Sequence, residues 1–229
     1  MHRRKFLKKI FLISCSLVTL KMKLFASEIF KPFNLKNGVF VNNFIDQQKN
    51  FKDFWKWRKE SKRPDPISFP LAQNDPRYLQ QNKSEKTLTW VGHATFLLQI
   101  NGYNVLTDPH FSKRASPLSF MGPERTTPPG LEINELPVID LVIISHNHYD
   151  HLDSQSVRSL IKRQKNNQPI FFVPLKLKKT LQNFGAINVI EHEWWQVSKY
   201  KKLEIHSVPV QHWSKRSISD TNKTLWCGW

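Results

Sequence analysis

The chain has 229 residues, 39% of them hydrophobic and 12% aromatic, enough for one large domain or two small ones and too apolar for wholesale disorder. Its formal charge of +17 is uneven: residues 1–26 hold seven basic side chains and no acid. The rest reads as a solvated basic face, and without zinc-finger spacing or an RNP-like aromatic motif, nucleic acid is excluded as an expected partner.

The first 26 residues follow the plan of an export signal, with a basic start, an apolar stretch from Ile10 to Leu20 and small residues at Ala26 and Ser27. That stretch is short for a bilayer span. The segment "RRKFLK" resembles the bacterial twin-arginine signal, which points to a periplasmic or inner-membrane location. Two other readings of the stretch are a lipoprotein box ending at Cys15 and an uncleaved anchor. After cleavage Cys227 is the one cysteine left, so no intramolecular disulfide is expected, and Cys227 reads as a small buried residue.

Residues 27–86 form a loop-rich extension containing one short helix, with Phe51, Phe54, Trp55 and Arg58 at helical spacing and Pro64 beyond it. Residues 87–229 change character. "TLTWVG" and "TFLLQI" read as strands, "NGY" as a turn and "NVLTD" as a further strand. A proline-punctuated loop runs from Pro109 to Pro137. The near-continuous apolar run "VIDLVIIS" fits a strand covered on both faces. Helix "SQSVRSLIKRQ", strand "IFFVP", helix "KLKKTLQNFG" and strand "INVIEH" follow, then a strand in "KLEIHSVPVQHW" and the start of one more in "KTLWCGW". Strands first, then strands alternating with helices, predict an α+β fold with helices packed outside a sheet.

Directly behind the buried strand comes "SHNHYDHLD", with His146, His148, Asp150 and His151 in six positions. Histidines two apart in a turn can aim both imidazoles at one point, and the next aspartate and histidine can face a second point nearby. Zinc and similar borderline metals accept imidazole and carboxylate together. Nine histidines in the whole chain make this crowding improbable for an ordinary polar loop.

The turn matches the HxHxDH signature of the metallo-β-lactamase superfamily. Together with "TWVGHAT", "LTDPHFSKRASPLSFMGPER", "FFVPL", "NVIEHEWW" and "QHWSKRSISDTNKTLWCGW", it closely resembles the N-acylphosphatidylethanolamine-hydrolysing phospholipase D family, from about Phe33 to Trp229. The resemblance implies an αββα sandwich and two Zn2+ ions. It implies His146, His148 and His212 around one ion and Asp150 and His151 on the other, with Asp150 also catalytic through orienting the attacking water. The family's bridging aspartate and last histidine have no counterpart here, so the sandwich is expected to be incomplete at the C-terminus, as a fragment or as a truncated gene.

Second-shell or structural roles are expected for His93, Asp108, Ser145 and Asp153, because ligand imidazoles need partners on their other nitrogen. Trp194, Trp195 and Trp213 are read as packing residues, with a lipid channel as the other assignment. His110, His192 and His206 are read as non-ligands. The implied activity is release of N-acylethanolamine and phosphatidic acid from a phospholipid at a membrane surface, with a second copy of the chain as a further partner. The alternatives are a lactone- or amide-cleaving hydrolase on the same site and an inactive metal-binding remnant.

Overall fold

The computed structural model describes residues 34–44, 51–61 and 71–229. The export signal falls outside them. The chain divides into a unit ending at Leu35 and a unit running from Lys36 to Trp229.

Short strands β1 (Leu35–Lys36) and β2 (Val39–Phe40) flank a turn at Asn37 and Gly38. Helix α1 (Phe51–Glu60) lies where the aromatic spacing predicted it. Helix α2 (Pro76–Gln81) was not foreseen in the extension, although its start signal is present. The Asp75 carboxylate accepts from the amides of Arg77 and Tyr78, and Pro76 stands at the first turn, where a missing N–H costs nothing. Leu79 of α2 is buried in the main core.

The centre is a six-stranded mixed sheet in chain order: β3 (Thr87–Gly92), β4 (Thr95–Ile100), β5 (Tyr103–Thr107), β6 (Leu141–Ile143), β7 (Ile170–Pro174) and β8 (Val189–His192). The first three pair antiparallel, and β5 through β8 are parallel. Successive side chains in the parallel strands go to opposite faces. Leu106, Val142, Ile144, Phe171 and Val173 join one core, while Val105, Leu141, Ile143 and Phe172 join the other. Both faces are therefore buried, and that is why the strands read as continuous apolar runs.

Two helices pack on the first face. Helix α3 (Ser154–Arg163) buries Val157 and Leu160, with Asp153 capping its N-terminus, and α4 (Lys178–Asn183) buries Leu181. On the second face sits a hairpin of β9 (Val197–Tyr200) and β10 (Leu203–His206), with Ile205 in the core and Leu203, Tyr200 and Trp229 against it. The sheet thus has helices on one side and a two-stranded sheet on the other, the mixed helix-and-sheet layering the sequence predicts. Strand β9 was missed, since "VSKY" alternates over only four residues. The last segment, where the start of a further strand was expected, makes an isolated bridge from Gly228 to Val208. Cys227 is buried beside it, and burial pushes its thiol up to about 12, consistent with a packing role.

Candidate metal centre

The site lies where parallel strands end, the edge of a sheet at which loops are free to converge. Strands β5 and β6 run side by side, with Thr107 opposite Ile143, so Asp108 and Ser145 emerge as neighbours. The Ser145 amide donates to Asp108 Oδ1 at 2.6 Å and the Ser145 hydroxyl to Oδ2 at 2.6 Å. Asp108 holds a left-handed backbone, φ 34°, and so does His93, φ 50°. Such strain in non-glycine residues persists where the surroundings enforce it, and it gathers at functional sites.

Three imidazoles form the first donor group. His146 Nε2 lies 2.8 Å from His148 Nδ1 and 3.0 Å from His212 Nε2. His212 comes from a loop far along the chain and is clamped by Asn42, whose side chain donates to the His212 carbonyl at 2.8 Å and accepts from its amide at 3.1 Å. The second group is His93, Asp150 and His151. His93 Nε2 is 3.0 Å from Asp150 Oδ2, and His151 Nε2 is 3.7 Å from the same oxygen. Within each group the donor atoms lie within 4.8 Å of one another.

The hydrogen-bond network sets the tautomers. With its proton on Asp108, the Ser145 hydroxyl can accept from His146 Nδ1, 2.8 Å away. His151 Nδ1 donates to Asp108 Oδ2 at 2.8 Å. Both rings then keep their protons on Nδ1 and present lone pairs at Nε2 toward the other donors. Burial, with His151, His212 and His148 nearby, holds His146 far below the usual histidine range. Burial and the charge of His212 bring His148 down to about 4. For His151, burial opposes the charged form, but the hydrogen bond and charge of Asp108, aided by Asp150, raise its pKa overall. Burial would raise Asp150, and His151 and the other histidines outweigh it, keeping the carboxylate ionised.

The neutral imidazoles of His146, His148 and His212 lie so close that they leave lone pairs protons alone do not satisfy, and His148 Nε2 is buried without a partner. A three-nitrogen group beside a two-imidazole, one-carboxylate group is a donor chemistry that suits a divalent transition metal.

Each residue read from the sequence has a place here. His146, His148 and His212 come together, as do Asp150 and His151. Asp108 and Ser145 support the imidazoles. His93, read as second-shell or structural, instead supplies the third donor of the second group. Asp153 does not orient a histidine as expected. Its carboxylate is taken by the amides and hydroxyls of Ser112 and Ser156 and the amide of Gln155, because it caps α3. His110, His192 and His206 join neither group. Trp194 is buried, as its packing role requires, but Trp195 is exposed. Trp213 stacks edge-on against His148, ring centroids 4.5 Å apart, and lines a cavity rather than the core.

That cavity, about 1150 Å³, is bounded by His93, His148 and Asp150 and by the apolar side chains of Leu71, Leu88, Trp90 and Trp213. Sequence reasoning missed Arg216. Its guanidinium donates to the carbonyls of Asn147 at 3.0 Å and Leu152 at 2.6 Å and stacks 4.1 Å from the centre of the Tyr149 ring. It thereby holds the histidine turn from behind, a contact across more than sixty residues that no local spacing announces.

Among proteins of known sequence, the chain is 35% identical over 206 residues to an "Uncharacterized protein" of Mycobacterium tuberculosis, covering 86% of this chain and 54% of that protein. It is 41% identical over 150 residues to N-acyl-phosphatidylethanolamine-hydrolyzing phospholipase D 1 of Caenorhabditis elegans, covering 62% and 42%. It is 30% identical over 128 residues to a UPF0173 metal-dependent hydrolase of Methanopyrus kandleri, covering 56% and 48%. The chain spans about half the length of these relatives. The model of the Beta-lactamase superfamily domain matches residues 103–229, taking in β5 through β10, the histidine turn and His212. With its mixed sheet and paired donor groups, the chain belongs to the beta-lactamase superfamily.

Proposed function

We propose that this chain carries the metal-binding part of a zinc-dependent phosphodiesterase that releases N-acylethanolamine and phosphatidic acid from N-acylphosphatidylethanolamine. The observation that carries the reading is a cavity lined by His93 and Asp150 of one donor group and His148 of the other, with Leu71, Leu88, Trp90 and Trp213 among its remaining walls. Such a wall suits an acyl chain next to a polar reacting centre. The similarity to the Caenorhabditis elegans phospholipase D supports the substrate class.

His146, His148 and His212 would hold one zinc ion, and His93, Asp150 and His151 the other. When bound, zinc supplies Lewis acidity toward the phosphoryl oxygen and lowers the pKa of water toward about 7. Asp108 and Ser145 fix one proton on Nδ1 of His151 and His146 and aim each Nε2 at the metal. Asp150, at the edge of the cavity, accepts a hydrogen bond from the attacking water and so orients it. The water oxygen bonds to phosphorus as the P–O bond on the headgroup side breaks, and the departing N-acylethanolamine oxygen takes the proton that the water gives up. Trp213 and Trp90 exclude bulk water along the acyl chain.

Incubation of the metal-loaded chain with N-acylphosphatidylethanolamine vesicles tests this. N-acylethanolamine should be released and chelation should stop it. Hydrolysis of a lactone or amide with no release from the phospholipid would replace the phosphodiesterase reading by the other hydrolase class.

A membrane substrate agrees with export of a folded, metal-loaded chain by the twin-arginine route. Replacing Arg3 and Arg4 by lysine should retain the protein in the cytoplasm, as read by cell fractionation. Undiminished periplasmic protein would remove the twin-arginine assignment.

A further inference from the structure

We propose that Arg125 forms an oxyanion subsite beside the metal centre, binding the phosphoryl group of the substrate. The proposal rests on the phosphodiesterase reading for its substrate but stands on a separate set of residues. Arg125 closes an excursion of the chain after β5. Its amide donates to the Lys113 carbonyl at 2.8 Å, and the Ala115 amide donates to Pro123 at 3.0 Å. The adjacent acid, Glu124, is engaged by Lys113 at 2.9 Å and by Arg114. Arg125 is thus left with no carboxylate in salt-bridge contact among the described residues.

The guanidinium is held in place by neutral partners, with the charges of Asp153 and Glu132 acting on it from beyond salt-bridge contact. One terminal nitrogen, Nη2, donates to the His110 carbonyl and lies 3.3 Å from His110 Nδ1. The Nε atom is buried without a partner. The other terminal nitrogen rests on Gly92, where a Cβ would come within 2.6 Å of it. Gly92 therefore makes room for the cation immediately before His93, which belongs to the second donor group. Gly92, His93, Arg125 and Asp150 all line the same cavity.

A partly buried cation with no carboxylate in contact is incompletely compensated, and an anion delivered to it offsets that cost. A guanidinium is always protonated in proteins, and its fork matches two oxygens of one phosphoryl group. Tetrahedral phosphoryl oxygens reaching the donor groups from the cavity would meet Arg125 from the side of Gly92. A neutral lactone or amide has no use for this charge, so the residue also bears on substrate class.

The test uses inorganic phosphate as the probe and the metal-loaded chain, with binding measured by calorimetry. Arg125→Gln is expected to weaken phosphate binding roughly tenfold, the scale of one charge-assisted hydrogen-bonded contact. Arg125→Lys should fall between, since it keeps the charge and loses the fork. Metal content should equal that of the unmodified chain in both variants. Unchanged phosphate affinity in R125Q at full metal content overturns the proposal. If R125Q loses metal, unmodified phosphate affinity in metal-replete R125K overturns it equally. Weakened phosphate binding in these variants, with no N-acylethanolamine released by the unmodified chain, would retain the anion subsite and discard the lipid substrate.

Discussion

Alanine at His146 is expected to remove one metal equivalent per chain, as is alanine at His212, with activity lost in parallel. His146 Nε2 stands between His148 Nδ1 and His212 Nε2, so its loss leaves the first group two nitrogens on opposite sides of a gap. Outer partners of a metal ligand typically cost 10–100-fold in affinity when removed, and a first-shell nitrogen should cost more. Metal analysis of the dialysed protein reads the effect. His206→Ala, at an exposed position outside both groups, should keep the full complement. Normal metal content in H146A or H212A would refute the ligand assignment.

Asp108→Asn should act most on the second group, with little loss of shape. Asp108 accepts from the Ser145 amide, the Ser145 hydroxyl and His151 Nδ1 through its two oxygens. With the amide oxygen kept at the Ser145 amide, the new NH2 faces His151 and drives its proton from Nδ1 to Nε2. The lone pair is then lost from the side that faces Asp150. A 10–100-fold fall in affinity for the second metal is expected, and a smaller fall for the first, because the Ser145 hydroxyl loses its acceptor on Asp108 and can then donate to His146 Nδ1. Titration with Co2+, followed by its visible absorption, separates the two sites. Asp108→Ala should in addition lower stability by about 2–3 kcal/mol, because it strands buried donors. Two equivalents bound with unmodified affinity in D108N would show that the carboxylate does not set the His151 tautomer.

Much of the sheet was legible because its physics is local. Strands β3 to β8 and helices α3 and α4 follow from apolar runs, alternation and turn residues. Strand β9 escaped because four residues carry too little periodicity, and its place depends on Tyr200 and Leu203 packing over Phe172 and Leu141. Helix α2 was missed even though Asp75 and Pro76 mark its start. Its six residues make too short an apolar period to stand out from the loops around them.

The site divides in the same way. His146, His148, Asp150 and His151 stood out by spacing alone, since one turn can aim them all. His212 was reached only through family resemblance. The place of His93 in the second group, the Asn42 clamp, the Arg216 buttress and the Arg125 cation had no signature. Each depends on segments tens to well over a hundred residues apart, for example Asn42 on His212 or His93 on Asp150. The Trp213 reading failed for a related reason, because a tryptophan lining a cavity and one filling a core look alike in a sequence.

By itself, then, the sequence determined the secondary elements of the main sheet, the crowded turn behind β6 and the ligand chemistry that turn supports, because backbone periodicity and side-chain type act over a few neighbours. Only the tertiary structure decided which distant side chains complete the two donor groups, which proton each imidazole keeps and where a cation with no carboxylate in contact meets the cavity. Those outcomes depend on distances of 3–4 Å between residues that are brought together by folding.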